Sequence, residues 1–311
     1  MIRGGALLAS VCGVALAAAC SSGSKQECVV GADCASGACD VSGHCVAAPQ
    51  PDSGVHDSAT MGDDASTSDV VVPPHDGGGC TANNDGTIDR AEVPLQAGLR
   101  GTYRIAENAT VSTAGTTRGD GSRAWDLSGA LGGDHDVIVE TLAMTGTWYA
   151  ADFGGASYAT KLSDTADLLG VFQTSATALS LLGVVSPTSG ATQTKLTYAT
   201  PIPTLSFPFH VGSSWNAMSN VSGTAQGVAS FYTESYANKV DAFGDMKTPY
   251  GTFKVQRVSS VLTRTVGALP TVTRTFVFIA ECFGPVATIV SQSNETTAEF
   301  TSAAEVRRLA P

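Results

Sequence analysis

Short β-prone runs separated by turn residues dominate the chain from Gly101 to its end. Val, Thr, Tyr and Phe are frequent in these runs, and Gly, Pro, Asn and Asp interrupt them at short intervals, which is typical of an all-β domain. Residues 254–258 (KVQRV) alternate, so one face of this strand is predicted to be wet and the other buried. We therefore expect a mainly β fold with a curved antiparallel sheet, arranged as a half-barrel, a clam or a sandwich.

The pattern predicts nine strands after residue 100. They are Thr102–Ala106, Val137–Met144, Leu168–Thr174, Ala178–Val185, Thr192–Thr200, Ser230–Asp241, Gly251–Arg264, Thr271–Ile279 and Pro285–Gln292. A hairpin is predicted where Gly267-Ala268-Leu269-Pro270 separates two β-prone runs. The last run, Ser302–Leu309, is compatible with a short helix or a strand.

The first 19 residues have the features of a signal peptide. Arg3 precedes the apolar segment Ala6–Ala19, whose 14 residues are too few to span a bilayer. Ala17-Ala18-Ala19-Cys20 resembles the bacterial lipobox, which implies that Cys20 becomes a lipidated N-terminus anchored in the membrane. Ser21 after the cysteine implies, by the enterobacterial sorting pattern, an outer-membrane lipoprotein of the cell envelope. The alternative is an ordinary secretory signal cleaved near Ala19.

The cysteine content also indicates export. Besides Cys12 in the leader and Cys20, six cysteines remain, and an even number in an oxidising compartment predicts three disulfides. Four lie in a segment too small to fold by apolar burial alone, namely Cys28, Cys34, Cys39 and Cys45. Two disulfides of open connectivity are predicted there, because the C-x2-C spacing of zinc sites is absent. Cys80 and Cys282 are predicted to pair with each other.

Residues 46–79 are predicted to be a disordered acidic linker. They contain six Asp, no Lys or Arg and no aromatic residue, a composition that buries too little apolar surface to offset chain entropy. A flexible coil of this length spans roughly 30 Å, so the linker would act as a spacer from the membrane. After Glu92, 16 acidic and 14 basic side chains are interspersed without a basic stripe, which argues against nucleic acid as a partner.

The segment Cys80–Glu92 (CTANNDGTIDRAE), aligned on Gly86, resembles an EF-hand calcium loop. The resemblance implies calcium ligands at Asn83, Asp85, Thr87 (through its carbonyl), Asp89 and Glu92. Only three of these are carboxylates, and the glycine-rich lead-in cannot form an entering helix, so weak binding is expected. The alternative needs no metal: Asn-Asp-Gly is a turn signal, and Asp89 to Glu92 is a capping box that starts a short helix with Pro94 in its first turn.

Two further resemblances bear on architecture. Residues 28–45 resemble the four-cysteine modules of myxobacterial exported proteins. Residues 248–255 (TPYGTFKV), with Phe276–Ile279 and Phe283–Ala287, resemble a meander of exported bacterial β-proteins with half-barrel or clam-like sheets. The whole layout resembles that of uncharacterised myxobacterial lipoproteins with an EF-hand-like N-D-G loop, which implies surface location and architecture but no activity.

These observations divide the chain into five regions. We assign residues 1–19 to the signal peptide, 20–45 to the lipid anchor and four-cysteine module, 46–79 to the linker, 80–100 to the EF-hand-like loop and short helix, and 101–311 to the β-domain. The leading functional hypothesis is a tethered β-domain with a binding or structural role, whose partner is an unidentified protein or an apolar ligand. The first alternative is a periplasmic carrier of lipid or another apolar ligand, and the second is a calcium-dependent hydrolase.

No catalytic motif supports an enzyme. The sequence contains no G-x-S-x-G, H-E-x-x-H, G-x-G-x-x-G or P-loop pattern. His135 and His210 are the only histidines after the linker, and Asp134-His135-Asp136 is interpreted as a polar turn before a strand. A deep apolar cavity would favour the carrier, a filled core the binding or structural role, and a cleft with clustered carboxylates and a histidine the hydrolase.

Overall fold

The computed structural model describes residues 80–311 of the chain. The predictions for the signal peptide, Cys20, the four-cysteine module and the linker fall outside these residues. The described part is mainly β and has no α-helix. Nor does any helix within it have the length and apolar character needed to cross a membrane.

Sixteen strands and two short 3₁₀ helices form this part of the chain. The helices are Arg90–Glu92 and Ala150–Asp152. The strands are β1 (Thr87–Ile88), β2 (Arg100–Glu107), β3 (Thr116–Thr117), β4 (Arg123–Asp126), β5 (His135–Leu142), β6 (Tyr158–Lys161), β7 (Leu169–Thr174), β8 (Ala178–Val185), β9 (Lys195–Ser206), β10 (Phe209–His210), β11 (Ser214–Ala225), β12 (Val228–Lys247), β13 (Thr252–Val266), β14 (Leu269–Ala280), β15 (Gly284–Ser291) and β16 (Ala303–Leu309).

Twelve of these strands form a closed antiparallel barrel. Their order is β11-β9-β8-β7-β6-β5-β2-β16-β15-β14-β13-β12, and β12 pairs again with β11 to close the ring. The prediction of a mainly antiparallel curved sheet is confirmed, whereas the half-barrel, clam and sandwich arrangements are replaced by full closure. Closure follows from the long β11–β12 pairing, which runs from Ser214 opposite Lys239 to Ala225 opposite Val228 and leaves no free barrel edge.

The lumen of the barrel is packed with apolar side chains. We call the end of the barrel that carries Cys282 the disulfide end. Eight barrel strands each contribute to this cluster, because cross-strand neighbours share a face of the sheet. Its members include Tyr158, Phe172, Leu181, Leu196, Val221, Val240, Val258 and Ile279. Residues 80–99, which precede β2, are called the N-terminal segment. Ile88 and Val93 of this segment pack into the same cluster, and β1 pairs with β10 there. Each fully buried side chain of this size stabilises the fold by roughly 1.5–3 kcal/mol.

A second apolar cluster lies on the outer face of the barrel. Phe278 stands opposite Arg257 in the β13–β14 ladder, on the other face from Ile279, and its ring contacts Trp125 of β4 at 5.0 Å. The strand β4 pairs in parallel with the end of β12, beyond the part that β11 covers. Gly244 permits this approach, since a Cβ there would lie 1.8 Å from the Arg123 carbonyl oxygen. Residues 109–131 therefore cover the outside of the barrel wall.

Because both faces of β13 are covered here, the prediction of one wet and one buried face for residues 254–258 is wrong for most of them. Gln256 is 6% exposed and faces the lumen and the N-terminal segment, and Arg257 is 1% exposed in the outer cluster. Lys254 alone is well exposed, with 69% of its side chain accessible.

The nine predicted strands all occur, with ends that differ by several residues in the longest ones. The structure also decides or refines three further predictions. The predicted hairpin has a two-residue turn, Gly267-Ala268, because β14 already begins at Leu269. The run Ser302–Leu309 forms the strand β16, since it completes the ladder between β15 and β2. The short helix after Asp89 is a single 3₁₀ turn, because Val93 already has extended backbone angles.

Candidate ligand-binding cleft

A cleft of about 1010 Å³ opens at the disulfide end of the barrel. Its walls come from the N-terminal segment, the loop before β4, the β12–β13 hairpin and the β14–β15 turn. Ligand pockets of small-molecule binding proteins typically measure about 300–1,000 Å³ and are mostly apolar. The cleft therefore has the size to receive a small molecule.

The N-terminal wall of the cleft is fixed to the barrel by a disulfide and by side-chain hydrogen bonds, in addition to the β1–β10 pairing. The predicted disulfide between Cys80 and Cys282 is confirmed, with α-carbons 5.6 Å apart. Glu281 accepts hydrogen bonds from the backbone N–H groups of Asn83 (2.7 Å) and Asn84 (3.0 Å) through one carboxylate oxygen. Gln256 Nε2 donates a hydrogen bond to the Gly86 carbonyl at 2.8 Å. This wall is thus held in place without a ligand.

Aromatic and aliphatic side chains line much of the cleft. Phe243 of β12 is 44% exposed and Val211 is 43% exposed, so both present apolar surface to the cleft. Phe253 is buried behind them and packs edge-to-face on Phe283 with 4.9 Å between ring centroids. A ligand that covered Phe243 and Val211 would remove their apolar surface from water, which is favourable.

The charged groups at the lip of the cleft are each held by a polar or oppositely charged partner. Asp245, 19% exposed, pairs with Lys254 at 2.7 Å and with Arg118 at 2.5 Å. Burial alone would raise the pKa of Asp245, but the hydrogen bonds and charges of these two cations outweigh burial and hold that pKa below its usual value. Hydrogen bonds from Ser122 likewise lower the pKa of Asp120, so this carboxylate stays ionised beside Arg118. Glu281, the other charged residue that lines the cleft, accepts from the Asn83 and Asn84 N–H groups, so every charged group at the lip already has a partner.

The predicted calcium ligands lie in the same N-terminal segment. Asn83 Oδ1 accepts the Asp85 N–H at 2.9 Å, and Asp85 Oδ1 accepts the Thr87 N–H at 2.8 Å. Glu92, only 8% exposed, accepts the Asp89 N–H at 2.8 Å, which is one half of the predicted capping box. No group of three or more His, Cys, Asp or Glu side chains in residues 80–311 is arranged to hold a metal ion. Calcium binding stays a prediction.

Neither of the two histidines in residues 80–311 lines the cleft, although His210 precedes the lining residue Val211. His210 Nδ1 is 2.8 Å from Ser213 Oγ in the turn between β10 and β11. His135 Nε2 is 2.6 Å from Asp164 Oδ2 near the opposite end of the barrel. The Gly133 carbonyl, and after it the Asp164 carboxylate, raise the pKa of His135 because both accept from the ring.

The two carboxylates that flank His135 in sequence, Asp134 and Asp136, each pair with a different arginine and do not form one site with His135. Asp134 pairs with the fully buried Arg308, and Asp136 pairs with Arg104 across the β2–β5 ladder at 2.8 Å. Asp164 instead connects His135 to Glu305, which accepts the Asp164 N–H at 2.9 Å. The triplet 134–136 is thus three separate structural contacts at the start of β5.

A buried polar network around Glu234 was not identified from the sequence. Glu234 of β12 is fully buried and accepts hydrogen bonds from the hydroxyls of Tyr198 and Tyr236, both at 2.7 Å, and from Arg264 at 2.8 Å. Burial, reinforced by the Glu234 carboxylate, raises the pKa of both tyrosines. The available signal was the spacing of Glu234 and Tyr236, which places both on one face of a strand. Because every oxygen has a partner, the network stabilises a unique arrangement of the lumen.

No protein-family model, no curated protein and no solved structure shows a significant match to the chain. The fold is a closed antiparallel β-barrel with a cleft at its disulfide end. The resemblance to myxobacterial lipoproteins stays a prediction.

Proposed function

We propose that this chain is an exported, lipid-anchored cell-envelope protein whose barrel binds a small apolar ligand in the cleft beside Cys80 and Cys282. The observation that carries the proposal is the cleft of about 1010 Å³ in which Phe243 and Val211 remain over two-fifths exposed. The packed side chains in the lumen favour the cleft over the lumen as the ligand site.

The location of the cleft fits the predicted attachment to a membrane. Cys80, which directly follows the predicted linker, itself lines the cleft. The cleft thus lies at the end of the barrel where the predicted linker joins it. The disulfide supports export, because such bonds form and persist in oxidising compartments. The proposal includes no catalytic step, since neither His135 nor His210 lines the cleft.

The test is a titration with the neutral fluorescent probe N-phenyl-1-naphthylamine. The full chain carrying Cys20→Ala is purified without lipid, and we expect the probe emission to rise saturably on binding. Val211→Trp fills part of the cleft from an exposed position and should weaken binding at least tenfold. Ile138→Trp is the matched control, because Ile138 is 61% exposed on β5 and does not line the cleft.

Two outcomes would overturn the proposal. One is the absence of saturable binding to the wild-type chain at micromolar probe. The other is equal binding by the Val211→Trp and Ile138→Trp variants, which would mean that the probe occupies another surface.

A further inference from the structure

The side chain of Gln256, in the wall of the cleft, has a hydrogen-bond acceptor without a partner among the described residues. Gln256 is 6% exposed, and its Nε2 donates to the Gly86 carbonyl at 2.8 Å. Its Oε1 is buried and has no hydrogen-bond partner among the described residues. The orientation of the amide is set, because Gly86 O is an acceptor and must face the Nε2 group.

An unpartnered buried acceptor is costly. Leaving such a group without a partner costs about 1–3 kcal/mol, and the large majority of buried side-chain polar atoms in native proteins are paired. Gln256 is also a lining residue of the cleft and stands opposite the exposed Phe243 in the β12–β13 ladder. The last torsion of a glutamine side chain is soft, so the carbonyl can turn towards an occupant of the cleft at low cost.

We infer that Gln256 is a specificity-determining residue of this cleft, and that the ligand is a neutral molecule with an apolar body and one hydrogen-bond donor, a hydroxyl or an amide N–H, directed at Gln256 Oε1. This inference rests on the proposed function. The neutrality follows because the charged groups at the lip (Arg118, Lys254, Asp120, Asp245 and Glu281) all have partners and leave no unpaired charge for a ligand. The apolar body follows from the exposed surfaces of Phe243 and Val211.

The test compares two probes of nearly equal shape, 2-naphthol and 2-methylnaphthalene, by competition against N-phenyl-1-naphthylamine. Only the first has a donor. Gln256→Leu in the full chain with Cys20→Ala should weaken 2-naphthol about fivefold, which corresponds to one net hydrogen bond, and leave 2-methylnaphthalene unchanged. Gln173→Leu is the matched control, since Gln173 also donates to a glycine carbonyl, that of Gly155 at 3.2 Å, but lies outside the cleft.

A second measurement does not depend on a variant that folds. The emission of 2-naphthol shifts to the red when its hydroxyl donates a hydrogen bond, so 2-naphthol bound to the wild-type chain should emit to the red of 2-naphthol in cyclohexane. The inference about Gln256 is overturned, and the proposed function stands, if the wild-type chain binds both probes but two results follow. The first is that Gln256→Leu weakens the binding of neither probe, or of both probes equally. The second is that 2-naphthol bound to the wild-type chain shows no red shift. If neither probe binds, the proposed function fails and the inference fails with it.

Discussion

Cys80 and Cys282 are 202 residues apart in sequence, yet their disulfide joins the start of the N-terminal segment to the β14–β15 turn. The Cys282 N–H also donates to the Glu92 carbonyl at 2.6 Å, so segment and turn are connected at both ends of the calcium-like loop. This double attachment makes the N-terminal segment one wall of the cleft and part of the luminal core.

Removing the disulfide should destabilise the barrel substantially. In the chain-entropy model a loop of this length restricts the unfolded state by about 5 kcal/mol. The double variant Cys80→Ser/Cys282→Ser should therefore unfold at clearly lower guanidinium concentration than the wild type, with a steeper dependence on denaturant because the unfolded chain without the cross-link is less compact. Reduced wild-type protein serves as the control and should match the variant. A transition midpoint equal to that of the oxidised protein would show that the bond contributes nothing.

The buried Arg257 should make stability depend on acid pH. Its guanidinium pairs with Asp241 at 2.8 Å and Glu299 at 2.7 Å while only 1% exposed. Burial alone would raise the pKa of Glu299, but the bonds and charge of Arg257 outweigh it and lower that pKa. A lowered folded-state pKa means that the stabilisation is complete above the unfolded value of about 4.5 and is lost as pH falls through the folded value.

We therefore expect Glu299→Gln to reduce stability at pH 7 and to flatten the decline of stability below about pH 4.5, measured by urea unfolding at several pH values. Glu140→Gln, on the exposed outer face of β5, is the matched control and should follow the wild-type profile. Parallel profiles for the wild type and Glu299→Gln would mean that Glu299 is not the titrating group.

His135 should titrate above its usual range. Both ring nitrogens face acceptors, Gly133 O at 3.1 Å and Asp164 Oδ2 at 2.6 Å, and this arrangement favours the doubly protonated ring. With a raised folded pKa, the stabilisation is present below about pH 6.5 and is lost as pH rises through the folded value. Nuclear magnetic resonance titration should show that Asp164→Asn lowers the pKa of His135. An unchanged midpoint would rule out the Asp164 contact in solution.

The strands that sequence reasoning identified are those rich in Val, Thr, Tyr and Phe. The strand β11 (SWNAMSNVSGTA) was missed because small and polar residues dominate it, and it gains its strand conformation from pairing with β9 and β12. The predicted half-barrel lacked this strand, so its closure was not foreseeable. Short strands such as β4 and β6, of four residues each, give too few positions for a period-two pattern.

The cleft was even less accessible to sequence reasoning. Its walls come from residues near positions 80, 120, 243 and 281, and only the pair Cys80 and Cys282 carried a signal that linked distant parts of the chain. Gln256 was recognised as one polar position in a strand, but its unpartnered oxygen depends on the approach of Gly86, 170 residues earlier.

Lipidation at Cys20 is tested by changing that residue. Because Cys20 is the predicted lipid acceptor, Cys20→Ala should release the protein from the membrane fraction into the soluble fraction, as judged by fractionation and immunoblotting. Cys12→Ala, within the leader, is a suitable control and should leave membrane association unchanged. Equal membrane association of the Cys20→Ala variant and the wild type would contradict the predicted anchor.

Calcium should bind weakly if the EF-hand resemblance extends to function. Three carboxylates and no entering helix predict a dissociation constant of about 10⁻⁴–10⁻³ M, so millimolar calcium should raise the melting temperature only slightly. Glu92→Gln should remove this increment, because the bidentate carboxylate is lost, while the amide oxygen can still accept the Asp89 N–H. Magnesium is the control and should have no comparable effect, since it requires tighter octahedral geometry. A wild-type melting temperature that is the same with and without calcium would leave the capping bond and the Glu281 contacts as the whole role of this loop.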